Sequence, residues 1–290
     1  MTKEAARRAL SRRLCLFLIL SLLILFRRDA AEAAAAPAMR IAATSPLLCE
    51  IADFISGGRA RVRALSRFGE SGELLNTARP LASEIIIAFD PEEAERRGLK
   101  LKNKNLRLLY DKVRMTEEQR RSAFFDPAML PFVARGIMKI ISAEDQENYA
   151  YYQRRLAEFQ SRIDSTMGVG RHLLSDTRLL DLTGAEGAWV RSSIEGALRP
   201  PESVWKSWLN GDVEALNAAL AEASRRGWLL LLDPWTPAPI RAAATAFPYR
   251  LTLPAPPQDT EFFIFLHDIF TMISNRVKGA QSSGKKTGGI

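Results

Sequence analysis

Few residues in this 290-residue chain could do chemistry, and their scarcity is informative. There are two histidines, His172 and His267, and two cysteines, Cys15 and Cys49. Cys15 lies inside an N-terminal leader, so the remainder cannot carry a disulfide framework, and a Cys/His zinc site is nearly excluded. The run Gly279-Ala280-Gln281-Ser282-Ser283-Gly284-Lys285-Lys286 approaches a phosphate-binding loop. It fails because Lys286 stands where the metal-binding hydroxyl belongs, with no strand before it and no helix after it. Gly69-Glu70-Ser71-Gly72 has the wrong spacing for a nucleophile elbow. A Ser-His-acid triad would have to use a histidine read as strand (His172) or one set among Phe263, Leu266 and Phe270 (His267). Both read as structural or surface residues, and the chain reads as a non-enzyme.

Those residues are carried by a chain with a distinctive start. Lys3, Arg7, Arg8, Arg12 and Arg13 precede the uncharged run Leu14 to Phe26, and an alanine-rich segment ends in Ala36-Pro37-Ala38. This is the layout of a secretory signal peptide over residues 1–38; Arg27 and Arg28 directly after the apolar run keep an uncleaved membrane anchor open as the alternative. The expected location is periplasmic or otherwise exported. Residues 1–38 hold seven basic and three acidic side chains, which is half of the formal net charge of +8. A nucleic-acid partner therefore has little support once the leader is set aside.

From Met39 onward, strands and helices alternate. Met39 to Thr44 reads as a strand, and Ser45-Pro46 opens a helix that stops at Gly57-Gly58. Arg61 to Leu65 alternates like a second strand, and Ile85 to Phe89 is the continuous apolar run of a parallel strand covered on both faces. Residues 96–121 carry ten Lys or Arg against Asp111, Glu117 and Glu118, a solvated surface or an anion patch. Leu130, Val133, Ile137 and Ile140 mark a helix. Ser142 to Asp145 reads as a capping box opening another, on which Tyr152, Leu156, Phe159 and Ile163 share one face over about 33 Å.

The second half repeats the alternation. His172 to Ser175 reads as a strand followed by a helix up to Gly184, and Val213 to Ala223 as a helix. Trp228 to Leu232 reads as a buried strand ending at Asp233-Pro234, with a short helix over Ile240 to Phe247. Tyr249 to Leu253 reads as the last strand and Phe262 to Val277 as the last helix. The expected fold class is α/β: two βα lobes with parallel sheets joined by a long backbone helix. The lobes are placed at 39–126 and 167–278, connecting helices at 127–166, and a disordered Gly/Ser/Lys-rich tail at 279–290.

Four stretches in this order resemble the periplasmic solute-binding proteins of zinc/manganese ABC importers: Thr44-Ser45-Pro46-Leu47-Leu48, Ser122-Ala123-Phe124-Phe125-Asp126-Pro127, the acidic and tyrosine-rich Glu144 to Tyr152, and Leu232-Asp233-Pro234. The resemblance spans about Arg40 to Lys278. It implies capture of a divalent metal ion, such as Mn or Zn, or a metal-related solute between two lobes, and delivery by a monomeric protein to an inner-membrane ABC permease. The family's histidine ligands are absent. Glu73 and Ser122 stand at two of their positions, Asp176 at a third when counted back from Gly187, and Leu253-Pro254 replaces the fourth. Glu73, Ser122 and Asp176 offer only oxygen donors, which suit hard ions better than zinc, and too few to fill a shell. Two alternatives stay open: an accessory protein that kept the fold and lost the ligand, and a binder of an anionic solute.

Overall fold

The computed structural model describes residues 39–257 and 260–287, with side chains described as far as Ala280. The proposed leader, with Cys15, lies outside the described residues. Strand β1 (Met39–Ala43) leads into helix α1 (Pro46–Ser56). The Ser45 hydroxyl caps α1 by accepting from the Leu48 amide, and Gly57 ends it in the left-handed region at φ 56°. Strands β2 (Ala60–Ala64), β5 (Ile85–Ala88) and β6 (Leu106–Leu108) complete a parallel sheet in the order β2-β1-β5-β6. A small antiparallel hairpin, β3 (Ser66–Phe68) and β4 (Leu74–Asn76), stands beside it. Short helices α2 (Pro91–Arg96) and α3 (Glu117–Ala123) finish the first lobe.

Helix α4 (Leu130–Glu144) and helix α5 (Tyr149–Leu173) form the connection. The second lobe contains β7 (Leu179–Asp181), α6 (Gly187–Arg191), β8 (Ala197–Leu198), α7 (Glu202–Leu209), α8 (Val213–Arg225), β9 (Leu229–Leu232), α9 (Ala238–Ala244), β10 (Arg250–Thr252) and α10 (Phe262–Thr287). Its sheet is parallel in the order β10-β9-β7-β8. The expected α/β class with two parallel sheets and a long helix is what the chain adopts.

Three local expectations are corrected. The segment His172–Ser175 is the end of α5 and the turn after it, and the second-lobe sheet begins at Leu179. The helix runs on past Ile163 because Thr166 and Gly170 continue its buried face. Gly170 admits Phe270 so closely that a Cβ there would stand 2.7 Å from the ring. Ser142 does not open a helix: α4 runs through to Glu144, and the Ser142 hydroxyl donates to the Met138 sulfur. A capping box lies instead at Thr116 and Gln119, before α3. Finally, α10 continues to Thr287 through most of the segment expected to be a disordered tail; residues 288–290 lie outside the described residues.

The core runs through both lobes. Tyr152, Leu156, Phe159 and Ile163 of α5 are buried as the spacing predicts. Phe159 packs on Phe54 of α1 at 5.3 Å and on Phe262 and Phe263 of α10 at 6.0 and 5.0 Å. One buried cluster reaches from Ile41 in the first sheet to Leu229 and Leu231 in the second, so α5 and α10 join the lobes as a shared apolar wall.

Candidate functional site

In a parallel sheet the loops after the strands gather on one side, where α/β proteins place their ligands. Here those loops meet each other. Asp233, after β9, is fully buried and accepts from the amides of Gly184, Ala185 and Glu186 at 2.8, 2.8 and 3.1 Å, from the Trp235 amide at 3.1 Å and from the Thr236 hydroxyl at 3.0 Å. It thereby fixes both the loop after β7 and its own turn. That turn aims Trp235 at the first lobe. The indole Nε1 donates to the Gly72 carbonyl at 2.8 Å, and the ring lies edge-on to Phe68 at 5.5 Å and tilted to Phe125 at 5.9 Å. The Arg121 guanidinium stands 6.0 Å from its centre. Gly72 sits at φ 76°, and a Cβ on it would lie 2.6 Å from the indole nitrogen, so this approach requires glycine.

A cavity of about 20 Å³ remains at this seam, bordered by the Phe68, Phe125 and Trp235 rings and by the charged side chains of Glu93, Glu117, Arg120 and Arg121. That is room for about one water molecule, not for a hydrated ion or an organic solute.

The acids near the strand ends already have partners. Asp181 is fully buried, accepts from the Thr183 amide and hydroxyl at 2.9 and 2.7 Å, and pairs with Arg191 and, at 3.5 Å, Arg199. Asp90 is fully buried, accepts from the amides of Glu93 and Met115 at 2.8 and 2.9 Å, and pairs with Arg120 at 2.7 Å. Glu93 accepts from the Phe89 amide at 2.7 Å, and burial pushes its carboxyl up. Glu186 differs: it is fully buried and neither oxygen has a hydrogen-bond partner. Burial first, then the charge of Asp233, raises its carboxyl well above the ordinary value.

The three residues singled out in the sequence stand apart from such a constellation. Glu73 is exposed in the β3–β4 turn and folds back on it, accepting from the Ser71 amide and hydroxyl at 3.1 and 2.7 Å; the Ser71 hydrogen bonds hold its carboxyl low. Ser122 is half-buried on α3, three residues before Phe125. Asp176 is exposed in the turn before β7, at the end of that strand remote from Trp235. It precedes the strand because the strand is Leu179–Asp181 rather than His172–Ser175, and the position following it belongs to Leu182 and Thr183. Among the described residues, no group of three or more His, Cys, Asp and Glu side chains is placed to hold a metal ion. His172 is exposed at the end of α5, and His267 on α10 faces Asp268 at 3.6 Å.

No protein-family model and no curated protein sequence matches this chain. Solved structures do. ZnuA superposes with a TM-score of 0.57 at 15% identity, covering 82% of this chain and 99% of that one. The fold is ZnuA-like. The Mn-bound periplasmic metal-binding protein of Candidatus Liberibacter asiaticus gives a TM-score of 0.56 at 13% identity, covering 82% and 99% of the two chains. The laminin-binding protein Lmb of Streptococcus agalactiae, described as bifunctional with adhesin and metal-transporting activity, gives 0.57 at 13% identity and the same coverage.

On this ZnuA-like fold, the residues that define the seam are ones the sequence reading passed over. Trp235 follows the noted Asp233-Pro234 pair directly, yet an indole after a strand carries no signal of its own. Its partner Gly72 lies 163 positions away. No helix among the described residues is long and apolar enough to cross a membrane.

Proposed function

We propose that this chain is an exported, two-lobed capture protein serving the membrane permease of a metal-type ABC importer. Its cargo is a metal-related solute that brings its own donor atoms rather than a bare divalent ion. The ZnuA-like fold over 82% of the chain supports the transport part of this reading, and the signal-like leader supports export. The state of the acids carries the choice of cargo: Asp90, Asp181 and Asp233 are each saturated by donors of their own lobe. Glu73, Ser122 and Asp176 supply too few oxygens, spread too widely, for the six or more ligands of a hard ion. Capture requires the Trp235 seam to open, and the reading assigns no catalytic step.

Calorimetric titration tests it, with Mn²⁺, Zn²⁺, Fe²⁺ and Co²⁺ offered bare and as complexes of polydentate carboxylate chelators, alongside elemental analysis of protein purified from its native compartment. Binding of complexes without binding of bare ions below millimolar is the expected result. Micromolar binding of a bare ion would overturn the choice of cargo. Binding of neither, by a protein purified free of metal, would favour the second reading, a non-transporting accessory protein on the same scaffold. The filled seam is the observation in favour of that alternative.

A further inference from the structure

The first lobe carries a second concavity, a groove of about 800 Å³ between the segment after β4 and the loop joining α2 to β6. Its polar lining is Asn76, Arg79, Arg97, Lys100, Lys102 and Asn103, and no carboxylate borders it. Leu65, Pro80 and Leu99 provide an apolar floor. All of these residues belong to the first lobe, so the groove is independent of the Trp235 seam.

The cations here differ from their neighbours in sequence. Arg96 pairs with Glu92 and Glu117, Arg107 with Glu144, Arg120 with Asp90, and Arg121 with Glu117. Arg79, Arg97, Lys100 and Lys102 have no ion-pair partner among the described residues. Arg97 is the most constrained. It donates to the Leu74 carbonyl at 3.1 Å and to Asn76 Oδ1 at 2.8 Å, while its Nε is buried without a partner. Glu93 and Glu117 act on this half-buried guanidinium from nearby, yet neither forms an ion pair with it, and an anion in the groove would complete it.

The two carboxamides point to the same chemistry. Asn76 Oδ1 is taken by Arg97, and Asn103 Oδ1 accepts from the Asn105 amide at 3.0 Å. Each Oδ1 already accepts one hydrogen bond inside the protein, while each NH₂ is available as a donor. The groove therefore offers chiefly donors and positive charge.

We infer that this groove is a binding site for a small organic polyanion, a molecule with two or more phosphate or carboxylate groups and an apolar body that rests on Leu65 and Leu99. Tripolyphosphate and citrate are the probes, separating the phosphate from the carboxylate source, titrated calorimetrically at low ionic strength. The paired variant Lys100→Glu/Lys102→Glu weakens the better probe roughly tenfold or more, because two attractive charges become repulsive. Lys104→Glu/Lys112→Glu changes net charge equally, at exposed lysines outside the groove, and leaves affinity within about twofold. Raising the salt weakens binding to the parent protein. Equal losses in the two double variants would overturn the site and leave only diffuse charge attraction. Binding of both probes weaker than millimolar would also overturn it, as would capture of phosphatidylglycerol vesicles with no response to either probe, which would assign the patch to a membrane surface. Failure of metal-complex capture at the seam would leave these results untouched, since no groove residue lies on the second lobe.

Discussion

Trp235→Ala tests whether the seam is held shut by one side chain. The substitution removes the hydrogen bond to the Gly72 carbonyl, worth about 1 kcal/mol. It also removes two ring contacts, with Phe68 and Phe125, at about 0.5–1.5 kcal/mol each. The Arg121 contact, at 6.0 Å, adds about 0.5 kcal/mol. These terms overlap, and Trp235 is only half-buried, so the expected loss is about 3 kcal/mol, at the low end for truncating a large aromatic. Every one of these partners belongs to the first lobe. The same 3 kcal/mol should therefore shift the closed-to-open balance by roughly a hundredfold toward open. Trp235→Phe keeps the ring contacts and loses only the N–H, so it should cost about 1 kcal/mol. Urea unfolding reads the stability, and small-angle scattering reads the lobe separation through the radius of gyration. A loss below about 0.5 kcal/mol with unchanged scattering would refute the idea that Trp235 seals the seam. A full loss of stability with no widening would show that the shared wall of α5 and α10 sets the closure instead.

Two other buried groups give predictions of opposite character. The Glu186 carboxyl is raised above its ordinary 4.5 by burial and by Asp233, so the folded chain retains a proton that the unfolded chain releases. Its contribution is fully favourable below the ordinary value and is lost as pH climbs through the raised one. Glu186→Gln should accordingly be more stable than the parent at pH 8 and no more stable at pH 4; a melting-temperature difference independent of pH would contradict the assignment. Arg120→Met leaves Asp90 buried without its guanidinium and should cost about 3 kcal/mol in urea unfolding, with much of that loss recovered in Asp90→Asn/Arg120→Met. A double variant no better than the single one would mean that Arg120 acts through its packing rather than its charge.

The elements legible in the sequence were those whose pattern is written locally. Ile85 to Phe89 and Trp228 to Leu232 are continuous apolar runs bounded by turn residues, and both became central strands. Ser45-Pro46 and Gly57 carried the start and stop of α1 in their own side chains and dihedrals. His172 to Ser175 misled because a four-residue stretch with an apolar centre fits a helix end as well as a strand. What decides it is distant: Phe270 on α10 presses against Gly170 and keeps the helix going. The misplacement of Asp176 follows from that single shift. The site itself was less legible still. Trp235 acquires meaning only from Gly72, and Glu186 only from its enclosure beside Asp233, and neither relation has a spacing that a sequence can display.

What opening the lobes would uncover follows from which contacts cross the seam. Asp181 is held by Thr183, Arg191 and Arg199, and Asp233 by residues 184–186, 235 and 236, all in the second lobe. Asp90 is held by Glu93, Met115 and Arg120, all in the first. Separating the lobes breaks none of these bonds, so none of these three carboxylates is released to meet an incoming cation. Tearing Asp181 from its arginines to ligate an ion would strand buried charge at a cost of several kcal/mol. The contacts that do part are mostly aromatic: the Trp235 indole against the Phe68 and Phe125 rings, the Gly72 carbonyl and the Arg121 guanidinium. An opened seam therefore presents the Trp235, Phe68 and Phe125 rings with one N–H donor and one C=O acceptor, beside the side chains of Ser45, Glu93, Glu117, Arg120 and Arg121. Such a surface is suited to stacking on and hydrogen-bonding an organic molecule.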